Sequence, residues 1–428
     1  MSGGMTRWRY PSSGLPERAP ASVLSILLTL FMAVLGGCAT WRAPGPMDDT
    51  ALRARAVSES LRGVHVSAAV LSSDDSRRIT GADVNGAGIQ PVWVEVRNQT
   101  RQTLWLLNAG TDPDYFSPLE VAWTFHTPLA GGSNAAIDTH FESLAFDNPI
   151  PPGATRDGIL FTNPYYRVRV LNIDLLGLRE FFPFTLFMPV PDQPATEEYE
   201  RIVSRYTETD YVDLQDLTAL RTALERLPCC ATNAQGSAPG DPVNFVLVGE
   251  TDNIAAALVR RGFRMDRRPF DDAQRLFGRQ PDFVAREAGQ GSLPTHWLRI
   301  WIAPLRYRGQ AVFLVQAGRP LGGRAGIREG NTPALHPDVD EVRNLQMQDL
   351  LYSGSAASLG FVEGVGAADI EHPRNSLAGS RYYTDGLRAV MFFEIRPQAM
   401  SEVRVLDWVP ALKLREAAAA AEHRHAGQ

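Results

Sequence analysis

Residues Leu293 to Leu351 read LPTHWLRIWIAPLRYRGQAVFLVQAGRPLGGRAGIREGNTPALHPDVDEVRNLQMQDLL. Two apolar runs, Leu298 to Ala303 and Ala311 to Ala317, have the length and residue types of strands. An arginine- and glycine-rich loop follows. Asp338 to Tyr352 then reads as a helix, with an acid at its start. Within the first run, His296, Leu298 and Ile300 share one face, and Trp297, Arg299 and Trp301 share the other.

Upstream, Asn244 to Gly249 (NFVLVG) reads as a buried strand. Thr251 caps a helix from Asp252 to Arg261, which Gly262 stops. Downstream, Leu359 to Glu363 and Leu387 to Ile395 read as further strands. The order β-α-β-β-α-β-β predicts an α+β domain over 199–397, with its helices on one sheet face. The turn after the first strand has a single glycine, without G-x-G-x-x-G or a Walker lysine, so nothing supports nucleotide binding. Before this unit, Asp213 to Leu227 is helical, with Leu214, Leu217, Leu220, Leu224 and Leu227 on one stripe.

Pro191 to Glu198 (PDQPATEE) reads as a linker and marks a domain boundary. Upstream of it the period is two. Val64 to Ala69, Pro91 to Asn98, Leu119 to Phe125, Arg156 to Thr162, Tyr166 to Ile173 and Phe181 to Met188 read as strands, with Thr103 to Leu107 as hairpin partner of Pro91 to Asn98. About seven strands separated by turns suggest an all-β sandwich over 63–191. It resembles immunoglobulin-like domains of bacterial envelope proteins by architecture alone, since the Cys…Trp…Cys pattern is missing. The fold class read from the sequence is therefore multidomain: an N-terminal immunoglobulin-like sandwich, then the α+β domain. Residues 398–428 form a charged, alanine-rich tail, helical from Lys413 to His423.

The chain opens with Arg7, Arg9 and Arg18, then the apolar run Val23 to Val34, which is too short to span a bilayer. It runs into Leu35-Gly36-Gly37-Cys38, which is similar to the lipobox of bacterial lipoproteins. That resemblance implies a signal peptide at 1–37, an acylated Cys38 and, with Ala39 rather than aspartate next, the periplasmic side of the cell outer membrane. Residues 38–62 would be a Pro-rich tether with a short helix from Asp48 to Leu61. Of three cysteines, only the adjacent Cys229 and Cys230 then remain; they could form a disulfide, and C-x-x-C redox spacing is missing. The 428 residues are 44% hydrophobic and 21% charged, with a net charge of −6, which argues against a nucleic-acid partner.

Several short motifs occur in order: Asp241-Pro-Val-Asn-Phe-Val-Leu-Val-Gly249, a helix ending Arg-Gly-Phe, Phe277-Gly-Arg-Gln-Pro-Asp282, His296-Trp-Leu-Arg-Ile-Trp301, His336-Pro-Asp-Val-Asp340 and Thr384-Asp-Gly-Leu387. Together, over about Tyr199 to Ile395, they resemble the LssY C-terminal domain family of bacterial envelope proteins. The resemblance implies an envelope setting and no defined reaction.

His336, Asp340 and His296 are the candidates for acid–base or metal chemistry. Asp338 and Glu341 have capping-box spacing, which competes with a site there. Arg299 and the loop residue Arg324 could hold an anion, and Arg299 could equally stack on tryptophan. Arg279 and Asp282 could form a turn-locking ion pair. There is no G-x-S-x-G elbow, no cofactor is expected, and His336 with the acids beside it leaves a metal site open. These residues lead to two expectations. One is a lipid-anchored periplasmic lipoprotein acting as a non-catalytic binding or accessory module, its partners the membrane and an envelope lipid or protein. The other is a hydrolase of a phosphorylated or lipid-linked envelope substrate.

Overall fold

A computed structural model describes residues 41, 43–128, 131–165, 168–193, 205–265, 274–287, 296–320, 328–329, 332–333, 335–377, 379–395 and 398–408. Cys38, Arg324, the leader and residues 409–428, with the helix expected from Lys413 to His423, lie outside these residues; the first part of the expected tail is described and contributes a short strand, Arg404–Val405. From Ala43 onward the chain belongs to one compact unit.

The first half is built from helix α1 (Thr50–Arg55), β1 (Val57–Leu61), β2 (Val64–Val70), α2 (Ser73–Thr80), β3 (Gln90–Asn98) and β4 (Trp105–Leu106). Three helices follow, α3 (Asn108–Thr111), α4 (Pro118–Thr124) and α5 (Gly131–Leu144), then β5 (Thr155–Thr162), β6 (Val168–Leu176) and β7 (Phe181–Pro189). Four strands pair as β1-β2-β3-β5 and three as β4-β6-β7, every pair antiparallel. One apolar core unites the two sheets: Val64, Val66, Val92, Val94 and Val96 from the first, Ile173, Phe184 and Leu186 from the second.

Three local expectations are corrected here. Leu119 to Phe125 is helix, because Ser117-Pro118-Leu119-Glu120 forms a capping box with proline in the first turn. Thr103 to Leu107 does not return beside β3; Trp105 and Leu106 pair with β6. The helix expected over Asp48 to Leu61 ends at Arg55, and Val57–Leu61 pairs with β2, so part of the expected tether is an edge strand.

The second half contains β8 (Val212–Leu214), α6 (Leu217–Glu225), β9 (Cys230–Thr232), β10 (Pro239–Pro242), β11 (Phe245–Gly249), α7 (Thr251–Arg260), β12 (Phe263–Met265), β13 (Phe283–Glu287), β14 (Trp297–Tyr307) and β15 (Gln310–Gly318). After the small β16 (Arg328–Glu329) and β17 (Thr332–Pro333) come α8 (Val339–Leu351), β18 (Ala356–Val362), β19 (Arg374–Asn375), β20 (Arg381–Tyr382), β21 (Arg388–Phe393) and β22 (Arg404–Val405). A nine-stranded mixed sheet runs β12-β13-β14-β15-β11-β21-β18-β22, with β8 also paired to β14. The expected order is recognisable in β11, α7, β14, β15, α8, β18 and β21. Strand β14 continues past Ala303 to Tyr307, with a register shift between Ile302 and Arg306. That shift contains Pro304, which has no N–H to give the ladder.

The placement of the helices also differs from expectation. Helices α7 and α8 do share one face, where Ile254, Ala257, Leu258 and Leu350 pack with Leu247, Phe313 and Met391. The other face is not open: Leu220 and Leu224 of α6 cover Val246, Val248, Leu314 and Val390. The reason is in β11, where consecutive rather than alternate residues are apolar. Such a strand demands cover on both faces.

Helix α7 also joins the halves. Val259 belongs to the core of the first half, and Ala255 packs against it. At its end Arg260 grips Asp174 of β6 with two hydrogen bonds of 2.8 Å and donates a third to Ser355.

Candidate functional site

Strands β11, β14 and β15 and the start of α8 meet at one end of the large sheet. Asn244, just before β11, shows how: its amide exchanges hydrogen bonds with Ala317 and also donates to Val339 O at 3.2 Å. Trp297 packs there with Leu335, Val339 and Tyr382. Its indole lies where a Cβ on Gly318 would be, so β15 needs glycine at that point.

Helix α8 begins as its sequence implies. The Asp338 carboxylate accepts from the amides of Asp340 and Glu341 at 3.1 and 2.9 Å, satisfying two donors that the helix leaves open. The reciprocal half of the expected capping box does not form. Glu341 instead lies 4.0 Å from His336 Nε2. His336 Nδ1 is 3.1 Å from Asp338 O, and its amide donates to Arg319 O. His336 is thus part of the cap.

Asp340 faces the turn Thr384-Asp385-Gly386-Leu387. Its carboxylate accepts from Thr384 Oγ1 at 2.8 Å and from the Asp385 amide. Arg343, one helical turn on and fully buried, lies 3.2 Å from Asp340 Oδ1. It also forks onto both Asp385 oxygens at 2.8 and 2.9 Å and donates to Leu387 O. Burial pushes the Asp340 carboxyl above its ordinary value; Arg343 opposes this and the Asp385 charge adds to it. Asp385 is raised by burial too, but the Arg343 hydrogen bonds and charge outweigh that and bring it below its ordinary value. Gly386 has φ 87°, and a Cβ there would meet Ala367 N at 2.7 Å. The turn therefore requires glycine. Asp340, Arg343 and Asp385 form a clasp between α8 and the turn leading into β21.

The remaining candidates point elsewhere. Arg299, on the sheet face opposite α7 and α8, is buried and donates to Asp241 at 3.0 Å and to Gln316. Its guanidinium carbon is 5.8 Å from the Trp297 ring centre. His296, at the entrance to β14, places Nδ1 2.6 Å from Glu287 on the adjacent β13. His296 Nε2 is buried and has no hydrogen-bond partner among the described residues. The expected Arg279–Asp282 pair is present at 3.1 Å, and Asp282 also accepts from the Ile302 amide at 2.8 Å. Cys229 and Cys230 are joined to each other. Cys230 Sγ lies 3.9 Å from both the Tyr382 hydroxyl and Arg374 Nη1. Among the described residues, no group of three or more His, Cys, Asp or Glu side chains is placed to hold a metal ion.

The contacts of His296, His336, Asp340 and Arg299 thus run to four different sets of partners. Sequence reading singles out neither Glu287 nor Arg343, and Asp385 enters only as part of the motif Thr384 to Leu387, with no role given to it. For Arg343 a signal existed: Asp340 and Arg343 stand three apart on a helix, the spacing of a facing pair. Asp385 lies within the quoted motif Thr384-Asp-Gly-Leu387, but its partner Arg343 is 42 positions away; Glu287 reaches His296 from the neighbouring strand, nine positions away.

Residues 271–387 match the family model described as LssY C-terminus. The resemblance read from the ordered motifs is borne out over that span. Two of those motifs, Asp241 to Gly249 and the helix after it, lie upstream of the match. No curated protein matches the chain. Most of the ordered motifs supply joints of the sheet: the Asp282 bond to β14, the Arg299–Asp241 pair, the α8 cap and the clasp closed by Thr384 to Leu387.

Proposed function

We propose that this protein is an outer-membrane-anchored lipoprotein facing the periplasm, whose folded part is a non-catalytic binding or accessory module of the envelope. The observation that carries the module reading is the clasp. Asp340, one of the three acid–base candidates, is committed to Thr384, Asp385 and Arg343, and His336 is committed to the cap beside it. These groups hold an element in place. The first half suits the same reading: two antiparallel sheets around one core are compatible with the immunoglobulin-like scaffold read from the sequence, a class that presents loops. The envelope setting rests on what the resemblance of the ordered motifs implies, and residues 271–387 carry that likeness.

The lipid anchor rests on Leu35-Gly36-Gly37-Cys38. Cys38→Ser is expected to move the chain from the membrane fraction to the soluble periplasmic fraction. An unchanged membrane fraction overturns the anchor.

One feature favours the second reading, a hydrolase of a phosphorylated envelope substrate. His296 has one ring nitrogen on a carboxylate and the other unpartnered, the arrangement that orients a general base. Its Nε2 is buried, so a substrate would have to displace cover to reach it. If the module reading holds, His296→Gln leaves turnover of aryl phosphomonoesters and phosphodiesters at the uncatalysed rate, as in the parent. A measurable parental turnover that this substitution removes reverses the choice.

A further inference from the structure

Three loops gather at one end of the first half. The Arg62-Gly63 turn joins β1 to β2, residues 99–103 leave β3, and residues 177–180 join β6 to β7. They are tied together. The Gln99 amide donates to Gly63 O at 2.8 Å. Arg62 donates to Phe181 O and lies 4.6 Å over the Phe182 ring. The Leu178 amide donates to Gln102 Oε1 at 2.8 Å, and the same side chain donates to Glu180.

Apolar side chains stand exposed at this end. Trp105 and Leu176 are direct partners across β4 and β6, and each is 45% exposed. Partnered side chains on one sheet face sit side by side. Leu178, at the hairpin tip, is 84% exposed. Farther along β6 the polar residues are covered: Asn172 donates to Gly110 beside α3, and Asp174 is held by Arg260 of α7. The apolar strip starts where that cover ends.

The rim is basic. Arg62, Arg101 and Arg179 are all exposed here, in a chain whose net charge is −6. The nearby acids are Glu180, which accepts from Gln102, and Asp147, 3.5 Å from Arg156. Tryptophan favours the boundary between water and acyl chains. Guanidinium forks fit phosphate oxygens, and basic side chains are drawn to an anionic leaflet within a Debye length. A leucine at a loop tip, a tryptophan beside it and three arginines around them fit a phosphate-bearing lipid surface.

We propose that this end of the first half docks on an anionic phospholipid bilayer, with Leu178 and Trp105 entering the interface and Arg62, Arg101 and Arg179 over lipid phosphates. This goes beyond acyl anchoring, because it holds for a chain without the acyl group.

The test uses the full chain carrying Cys38→Ser, so that no acyl chain contributes. Binding is measured by flotation with phosphatidylcholine vesicles, with and without phosphatidylglycerol. The apolar run Val23 to Val34 is common to all variants, so differences between them report the tip. Leu178→Asp is expected to weaken partition to the anionic vesicles by about tenfold. The combined Arg62→Gln, Arg101→Gln, Arg179→Gln variant is expected to weaken it by about a hundredfold and remove its salt dependence. Ile370→Asp, at an exposed apolar position in the other half, is expected to change nothing. Amide exchange across residues 177–180 is expected to slow on anionic vesicles. Equal binding by all variants, equal binding to neutral and anionic vesicles, or unslowed exchange at the tip each overturns the proposal. So does a protein partner that occupies the tip while vesicles leave it exchanging freely.

Discussion

Arg343 and Arg388 are both completely buried, and the two regions around them solve the same problem differently. Arg343 sits between two carboxylates, Asp340 and Asp385, at the start of α8. Arg388, at the start of β21, donates among the described residues to backbone carbonyls alone: Val243, Leu224, Leu227, Pro228 and Gly364. Leu224 lies in the last turn of α6, where helix carbonyls lack amide partners and the dipole is negative, and Leu227 and Pro228 follow directly after that end. Burial lowers the Arg388 pKa to about 10, which still leaves it charged at neutral pH. A buried cation can therefore be held by partial charges as well as by full ones. What differs is what remains when the cation is removed.

The largest expected effect tests that difference. Arg343→Ala leaves two carboxylates without their counter-charge, and breaking a buried pair from one side costs about 3–5 kcal/mol. Urea unfolding at neutral pH measures it; a loss within error of zero means that the clasp does not hold α8.

Arg388→Met leaves carbonyls but no stranded ion, and methionine fills much of the space. Its expected cost is smaller, about 1–3 kcal/mol, the scale for buried polar groups left unpaired. If it matches or exceeds the cost of Arg343→Ala under the same conditions, the distinction between full and partial counter-charges fails.

The smallest effects concern pH. The folded Asp385 value lies below the unfolded one, so its contribution is present above the unfolded value, about pH 4, and is lost as pH falls through the folded value. Asp340 runs the other way: its contribution is full below the unfolded value and is lost as pH rises through its raised folded value. Relative to the parent, Asp385→Asn should lose stability as pH rises from acid, whereas Asp340→Asn should gain. Unfolding series across the carboxylate range give the two slopes, and slopes of the same sign break the assignment.

Much of this architecture was legible from short-range pattern. Val92, Val94 and Val96 alternate and are core. Asp338 caps α8 from the position where a cap belongs. The failures are also instructive. Leu119 to Phe125 has an apolar, strand-like composition, yet Ser117, Pro118 and Glu120 start a helix, so local capping outweighed composition. Thr103 to Leu107 lies close enough in sequence to pair with β3, but β4 instead completes the second sheet. Hairpin proximity is only a loop-closure advantage, and burial of Leu104 and Leu106 decides the pairing.

The candidate site was less legible for a physical reason. A histidine or an aspartate has the same letter whether it faces a substrate or a structural partner. The sequence alone determined that His296 and Arg299 lie at the start of a strand and His336 and Asp340 at the start of a helix, because periodicity and caps are encoded by neighbours. Only the tertiary structure decided their partners. Glu287, Asp241 and Asp385 reach them from other elements, 9, 58 and 45 positions away in sequence. In a buried setting a partner's charge and distance set both protonation and role.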